Sequence, residues 1–207
     1  IYGYVQRDKL TGGKLHKQLR HGRRKYRKGS RAKRVIIPNR VGIEHRPAIV
    51  DKKKRFGDWE ADTVLGKNGT GAIVSLVERK SKFYLIRKVP AKSAAEVSRA
   101  MVGMLWRYRN HVHTITADNG TEFCGHELVA EKLKTDVYFA NPYSSWERGL
   151  NENFNGLLRQ YISKGQDLST VTDEQIAQAQ RALNLRPRKC LGYKQPEVVF
   201  NELREAV

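Results

Sequence analysis

Three short segments carry acids in settings where they could do chemistry: DWEADTVLG at 58–66, TADNGTEF at 116–123 and RGLNENFNGLLRQY at 148–161. In the first, a strand period of two puts Asp58, Glu60, Asp62 and Val64 on one face and Trp59, Ala61, Thr63 and Leu65 on the other. Aspartate is a poor strand former, so a strand carrying acids needs a reason, and metal ligation is one. An edge strand facing solvent, or pairing with basic residues, is another. Spacing alone does not choose Asp62 over Glu60 or Asp58. In the second segment Asp118 closes an apolar run and precedes Asn-Gly. That is ordinary turn chemistry, but it is also the strand end where open α/β sheets place their ligands. In the third, Leu150, Phe154, Leu157, Leu158 and Tyr161 form an apolar helical stripe, while Arg148, Glu152, Asn155 and Arg159 share a polar face. Such a face reads equally as a solvated surface with an Arg/Glu pair.

If Asp62, Asp118 and Glu152 converge, they offer hard oxygen ligands suited to Mg²⁺ or Mn²⁺. Two such ions about 4 Å apart can activate a water or a 3′-hydroxyl and stabilise the leaving oxygen of an in-line displacement at phosphorus.

The elements that must position these acids begin at residue 56. DWEADTVLG, GAIVSLVERK and KFYLIRKVP read as a three-stranded antiparallel meander, broken by GKNGTG and RKSK. Ser93 can cap a helix over AAEVSRAMVGMLWRYRN, where Val97, Met101, Met104, Leu105 and Tyr108 recur at helical spacing. A strand at HTITAD, a helix around HELVAEKLK and a strand at VYFA follow. Two helices at about 147–163 and 172–185 precede a C-terminal tail. The order βββαβαβα, with helices on both faces of a mixed sheet, is the ribonuclease H-like arrangement.

Charge divides the 207 residues unevenly. Residues 1–55 hold 19 Lys/Arg against three acids, a net of +16 out of the chain's +19. The densest part, HGRRKYRKGSRAKR, contains Arg23, Arg24, Lys25, Arg27 and Lys28 and lacks the apolar face of a membrane-surface helix. A basic arm ahead of a nearly neutral body is the footprint of nucleic acid, because neutralising phosphates releases counterions. A solubilising tail is the plainer reading. The chain is expected to divide into a remnant helical unit (1–20, around the turn TGG), a basic extended connector (21–55) and a catalytic domain (56–207).

Cys124 and Cys190 are far apart and outside any C-x-x-C pair, which excludes a disulfide framework and fits a reducing compartment. His111 and His113 lack the partners of a zinc site. No run of about 18 apolar residues suggests a membrane span, so a cytoplasmic protein with no membrane partner is expected. The start at Ile1 reads as a piece of a longer protein.

GDWEADTVLG, TADNGTEF and PYSSWERGLNENFNGLLRQY closely resemble the three catalytic blocks of bacterial insertion-sequence transposases of the IS-thirty family, within the DDE and retroviral-integrase superfamily. IYGYVQRDKLTGGKLHKQLR and HRPAIVDKKKRFGDWEAD resemble the family's approach to its first block, and the 33 residues between Asp118 and Glu152 match its interval. The resemblance selects Asp62 over Glu60 and implies that Asp62, Asp118 and Glu152 hold two divalent ions for cleavage at element ends and transfer of the 3′-hydroxyl to target DNA. It places Arg159 near the DNA end. Tyr143 and Trp146 become candidates for stacking on unpaired bases, and Arg148 and Asn155 for DNA contact. A homodimer or higher oligomer on DNA is implied, because two ends are handled together. The family's helix-turn-helix region is absent save what resembles its last helix in residues 1–20. A ribonuclease H-like nuclease or resolvase would use similar acids and stop at hydrolysis, and a non-catalytic nucleic-acid-binding protein would use only the basic arm.

Overall fold

The structure is a computed structural model that describes residues 2–18, 37–142 and 144–206. By their contacts, residues 1–34 and 35–207 form two separate units. In the first, helix α1 (Tyr2–Leu10) ends in a turn at Gly12, φ 84°, and a 3-10 turn follows at Leu15–Gln18. The Asp8 carboxylate fixes the return by accepting from the Leu15 amide at 3.0 Å.

The second unit is built on five strands: β1 (Asp58–Leu65), β2 (Ala72–Glu78), β3 (Tyr84–Val89), β4 (Thr114–Ala117) and β5 (Asp136–Phe139). They lie in the order β3-β2-β1-β4-β5, with β1–β2–β3 antiparallel and β1–β4–β5 parallel. β1 is therefore central rather than an edge. Residues ahead of it, which the sequence reads as connector, are packed within this unit: Ile37 joins the core, Gly42 bridges Phe139, and the short helix α2 (Ala48–Asp51) buries Val50.

Helices cover both faces. On one, α3 (Ala94–Leu105) and α4 (His126–Leu133) pack against Trp59, Ala61, Val74, Leu76 and Ile115. Ser93 caps α3 by accepting from the Glu96 amide, as its sequence suggests, but α3 stops at Leu105 and continues as a 3-10 turn to His111. On the other face, α5 (Gly149–Leu158) and α6 (Asp173–Leu185) bring Phe154, Leu158, Ile176 and Leu183 onto Val64, Ile73, Val77 and Tyr84. A capping box of Thr172 and Gln175 starts α6. Helix α5 is shorter than the expected 147–163, so Tyr161 falls beyond it and is 46% exposed instead of extending the apolar stripe.

The expected C-terminal tail is a helix, α7 (Pro196–Glu205), started by proline at its first turn. Its Phe200 is 1% exposed and stacks on Phe83 at 4.2 Å between centroids, with Trp59, Phe56 and Tyr108 edge-on around it. No helix among the described residues is long and apolar enough to cross a membrane.

Candidate active site

The alternation on β1 sorts its acids by environment. Asp58 and Glu60 are buried and already paired: Asp58 with Arg55 at 2.6 Å and with the Thr114 hydroxyl at 2.7 Å, Glu60 with Arg79 at 2.7 Å. Both carboxylates face protein cations, so neither is free for substrate. Asp62, further along the same face, keeps 21% of its side chain exposed.

Parallel pairing sets Glu60 beside Thr116, so the same register carried two residues on puts Asp118 level with Asp62. The side chains confirm the juxtaposition. Arg148, just ahead of α5, reaches both: Nη1 lies 3.6 Å from Asp62 Oδ1 and Nη2 donates to Asp118 Oδ2 at 3.3 Å. Nη1 also donates to the Ala61 carbonyl at 3.2 Å. Two carboxylates thus share one guanidinium at the end of β4. Burial raises the Asp62 pKa above its ordinary value, Arg148 opposes this, and the neighbouring Asp118 charge adds to it.

Asn155, two turns along α5 from Arg148, donates Nδ2 to Asp62 Oδ2 at 2.9 Å. Its Oδ1 lies 3.2 Å from the hydroxyls of both Ser75 and Tyr84. Ser75 is the β2 residue directly opposite Asp62, and Tyr84 is fully buried on β3. These two hydroxyls fix which way the amide points, and so which carboxylate oxygen it holds. The lone serine in the apolar run AIVSLVE was the only sequence signal of this support; Tyr84 gave none.

On the far side of Asp62, Thr63 Oγ1 donates to Glu122 Oε1 at 2.8 Å, and Lys92 meets the same oxygen at 2.8 Å. Glu122 is 1% exposed and its carboxylate lies against Gly120, in the turn held by Asp118 Oδ1 accepting from the Gly120 amide at 2.9 Å. Glu122 therefore ties the Asp118 turn to β1. Sequence reasoning passed it over as one more charge in a turn. Asn119 adds a second tie, donating to the Ala140 carbonyl at 2.6 Å and accepting from Arg40 at 2.7 Å.

Glu152 sits on α5 between Arg148 and Asn155, on the face those two turn toward Asp62, and is exposed. Its carboxylate does not join the pair: among the described residues no three His, Cys, Asp or Glu side chains form a group that could hold a metal ion. The structure thus brings Asp62 and Asp118 together and leaves Glu152 one helical turn away. The donor set still suits a hard cation, since two carboxylates already gather positive charge between them. Arg159, at the C-cap of α5, donates to the carbonyls of Leu65 and Ser163 at 3.3 Å each, some distance along the helix from the aspartates. Trp146 lies in a 3-10 turn, Ser145–Arg148. Tyr143 and the arm residues Arg23, Arg24, Lys25, Arg27 and Lys28 lie outside the described residues.

Residues 52–145 match the integrase core domain family. The chain is 51% identical over 205 residues to a transposase for insertion sequence element IS4351 of Bacteroides fragilis, covering 98% of this chain and 63% of that protein. It is 36% identical over 183 residues to transposase InsI for insertion sequence element IS30A of Escherichia coli K12, covering 88% of this chain and 47% of that protein. The chain thus spans roughly half to two thirds of the length of these curated relatives. The crystal structure of the catalytic core domain of BIV integrase superposes with a TM-score of 0.56 at 21% identity, over 72% of this chain and 97% of that one, which establishes the ribonuclease H-like fold.

Proposed function

We propose, on the premise that this chain belongs to the insertion-sequence transposases with an integrase core domain, that it cuts DNA at element ends and joins the freed 3′-hydroxyl to target DNA. The observation that carries the reading is the pairing of Asp62 and Asp118 about one guanidinium, beside a helix presenting Glu152 between Arg148 and Asn155.

Asp62, Asp118 and Glu152 would hold Mg²⁺ or Mn²⁺, two ions when substrate is present. Bound there, the metal supplies Lewis-acid polarisation of the phosphoryl oxygen and a lowered pKa for the attacking hydroxyl. The chain's own residues do the positioning. Asn155 orients the Asp62 carboxylate, and Glu122 with Asn119 holds the turn that aims Asp118. Glu152, exposed on the first turns of α5 between Arg148 and Asn155, would be the third ligand. With metal on the aspartates, the Arg148 guanidinium would lose its two partners and be free to pair with a phosphate of the DNA.

DNA is the partner, gripped through phosphate contacts by the basic run HGRRKYRKGSRAKR at 21–34, with residues 1–20 the end of a DNA-recognition region. A homodimer or larger assembly forms on DNA, since two element ends react together.

The test is incubation with labelled DNA carrying a free 3′-hydroxyl and supercoiled plasmid, in Mg²⁺ or Mn²⁺, beside Asp118→Asn and Glu152→Gln. Metal-dependent joining lost in both variants, with DNA binding kept, supports the transposase reading. Cleavage without joining would move it to a nuclease. Equal behaviour of wild type and variants would leave only nucleic-acid binding.

A further inference from the structure

Beyond α5 the chain carries a charged feature outside the aspartate site. Between Glu174 and Glu197 there are five cations, Arg181, Arg186, Arg188, Lys189 and Lys194, and no acid. Four of them lie in the connection from α6 to α7, which is a closed loop: the Tyr193 amide returns to the Arg188 carbonyl at 2.9 Å and the Arg188 amide to the Lys194 carbonyl at 3.1 Å. At its tip Gly192 and Tyr193 are both left-handed, φ 63° and 65°. A tyrosine held in that conformation costs backbone energy of order 1 kcal/mol or more, yet its ring is 70% exposed and makes no core contact that would account for it.

The loop is anchored to the end of α5. Arg188 lies over the Phe154 ring, 4.8 Å from its centroid, and donates to the Leu183 carbonyl at 3.2 Å. Arg186 donates to Gln160, next to exposed Tyr161. Burial, and then the neighbouring Arg186 charge, hold the Arg188 guanidinium below its ordinary pKa. Lys194 is met by Glu202; Lys189 is exposed and has no ion-pair partner among the described residues.

We propose that the 186–194 loop, with Tyr161 beside it, is a second DNA-binding surface, in which Arg186 and Lys189 meet backbone phosphates and Tyr193 lies on an unpaired or distorted base. The surface rests on the reading of the chain as a DNA-acting enzyme and adds to it a contact away from the cut. Arg188 lies over Phe154 and Arg186 bonds Gln160, so the loop meets the C-terminal half of α5 and the residues just beyond it, on the helix whose Asn155 holds Asp62. Charge complementarity commits the occupant to DNA: cations bind phosphates, and an exposed rigid ring offers a stacking platform that a solvated charge run would not need.

The test is fluorescence anisotropy of the whole chain on labelled duplex DNA with a single-stranded overhang, titrated between about 50 and 200 mM salt. Arg186→Ala/Lys189→Ala should lower the slope of log affinity against log salt by about 1.8, near 0.9 per lost phosphate contact. Tyr193→Ala should weaken binding at least about fivefold on overhang DNA and less on blunt duplex. Arg107→Ala/Lys132→Ala removes the same charge from the α3–α4 side and should leave the slope unchanged. Binding of Mn²⁺ by the aspartates, measured calorimetrically without DNA, should be the same in the loop variants as in wild type. A slope unmoved by the loop pair, or moved equally by the control pair, overturns the proposal while DNA joining by wild type keeps the transposase reading intact. If wild type neither binds nor joins DNA, both fall.

Discussion

Asn155 on α5 holds Asp62 on β1: the amide nitrogen reaches Oδ2 at 2.9 Å, and the amide oxygen lies 3.2 Å from the hydroxyls of Ser75 and Tyr84. One side chain therefore ties the Asp62 carboxylate on β1 to hydroxyls on β2 and β3. Supporting partners of metal-binding groups change affinity or activity by about 10–100-fold when removed. Asn155→Ala should lower metal-dependent joining by about that factor, and Tyr84→Phe by less, since Ser75 still faces the amide. Joining assays with the melting temperature measured alongside check this; full activity in Asn155→Ala would exclude the orienting role.

Arg148 occupies the space between Asp62 and Asp118. Removing it leaves two close carboxylates without a countercharge, so Arg148→Ala should melt at a lower temperature than wild type in metal-free buffer. Added Mg²⁺ should then raise its melting temperature more than it raises that of wild type. An equal Mg²⁺ response in both proteins would show that the guanidinium and the metal do not compete for the same charges.

Burial raises the Asp62 pKa. A carboxyl whose folded pKa lies above its unfolded value favours folding when protonated, and this contribution is lost as pH rises from the ordinary carboxylate range through the raised value. Asp62→Asn does not titrate, so its stability relative to wild type should improve as pH increases through that window and stay level at higher pH. Urea unfolding across pH measures it. The same shift makes metal binding by wild type weaken as pH falls toward the raised value, because the ligand must be ionised.

Glu60 and Arg79 form a pair with side chains 1% and 3% exposed. Breaking a buried pair from one side costs about 3–5 kcal/mol. Arg79→Ala should lose that much stability in urea unfolding, whereas Glu60→Gln, which keeps a polar partner, should lose less and still join DNA once folded. Abolished joining in a folded Glu60→Gln protein would place Glu60 in the catalytic set instead.

Phe200 is buried among four aromatic rings: Trp59 on β1, Tyr108 in the 3-10 turn after α3, and Phe56 and Phe83 just ahead of β1 and β3. Phe200→Ala should cost about 3–5 kcal/mol. A loss under about 1 kcal/mol would mean that α7 contributes little to the core beneath β1.

The sheet was legible in the sequence because runs rich in Val, Ile, Leu, Tyr and Thr at 58–65, 72–78 and 84–89, broken by GKNGTG and RKSK, are local properties, and the element order followed from their alternation with helices. The Ser93 cap was legible for the same reason: a cap is satisfied within three residues. The far end of α5 and the whole of α7 were misread. Tyr161 fits the helical stripe but falls beyond the last turn of α5. Pro196, Val199, Phe200 and Leu203 do keep helical spacing and were passed over, but the rings that bury Phe200 lie 92 to 144 residues earlier and no local pattern shows them.

The same division holds at the site. Sequence pattern put Asp58, Glu60 and Asp62 on one face but could not rank them, because rank depends on which acid meets a cation from elsewhere: Arg55 and Arg79 take the first two, and Asp62 is left facing the cleft. Residue types and spacing alone determined that acids would line β1, end β4 and sit on the polar face of α5. Only the tertiary structure decided that Asp62 and Asp118 stand level across parallel strands, that Asn155, Ser75, Tyr84 and Glu122 hold them there, and that Glu152 waits a turn away. The physical reason is range: periodicity and caps are fixed by neighbours in the chain, whereas a carboxylate's charge, orientation and partners are fixed by groups that meet it only after the sheet has closed.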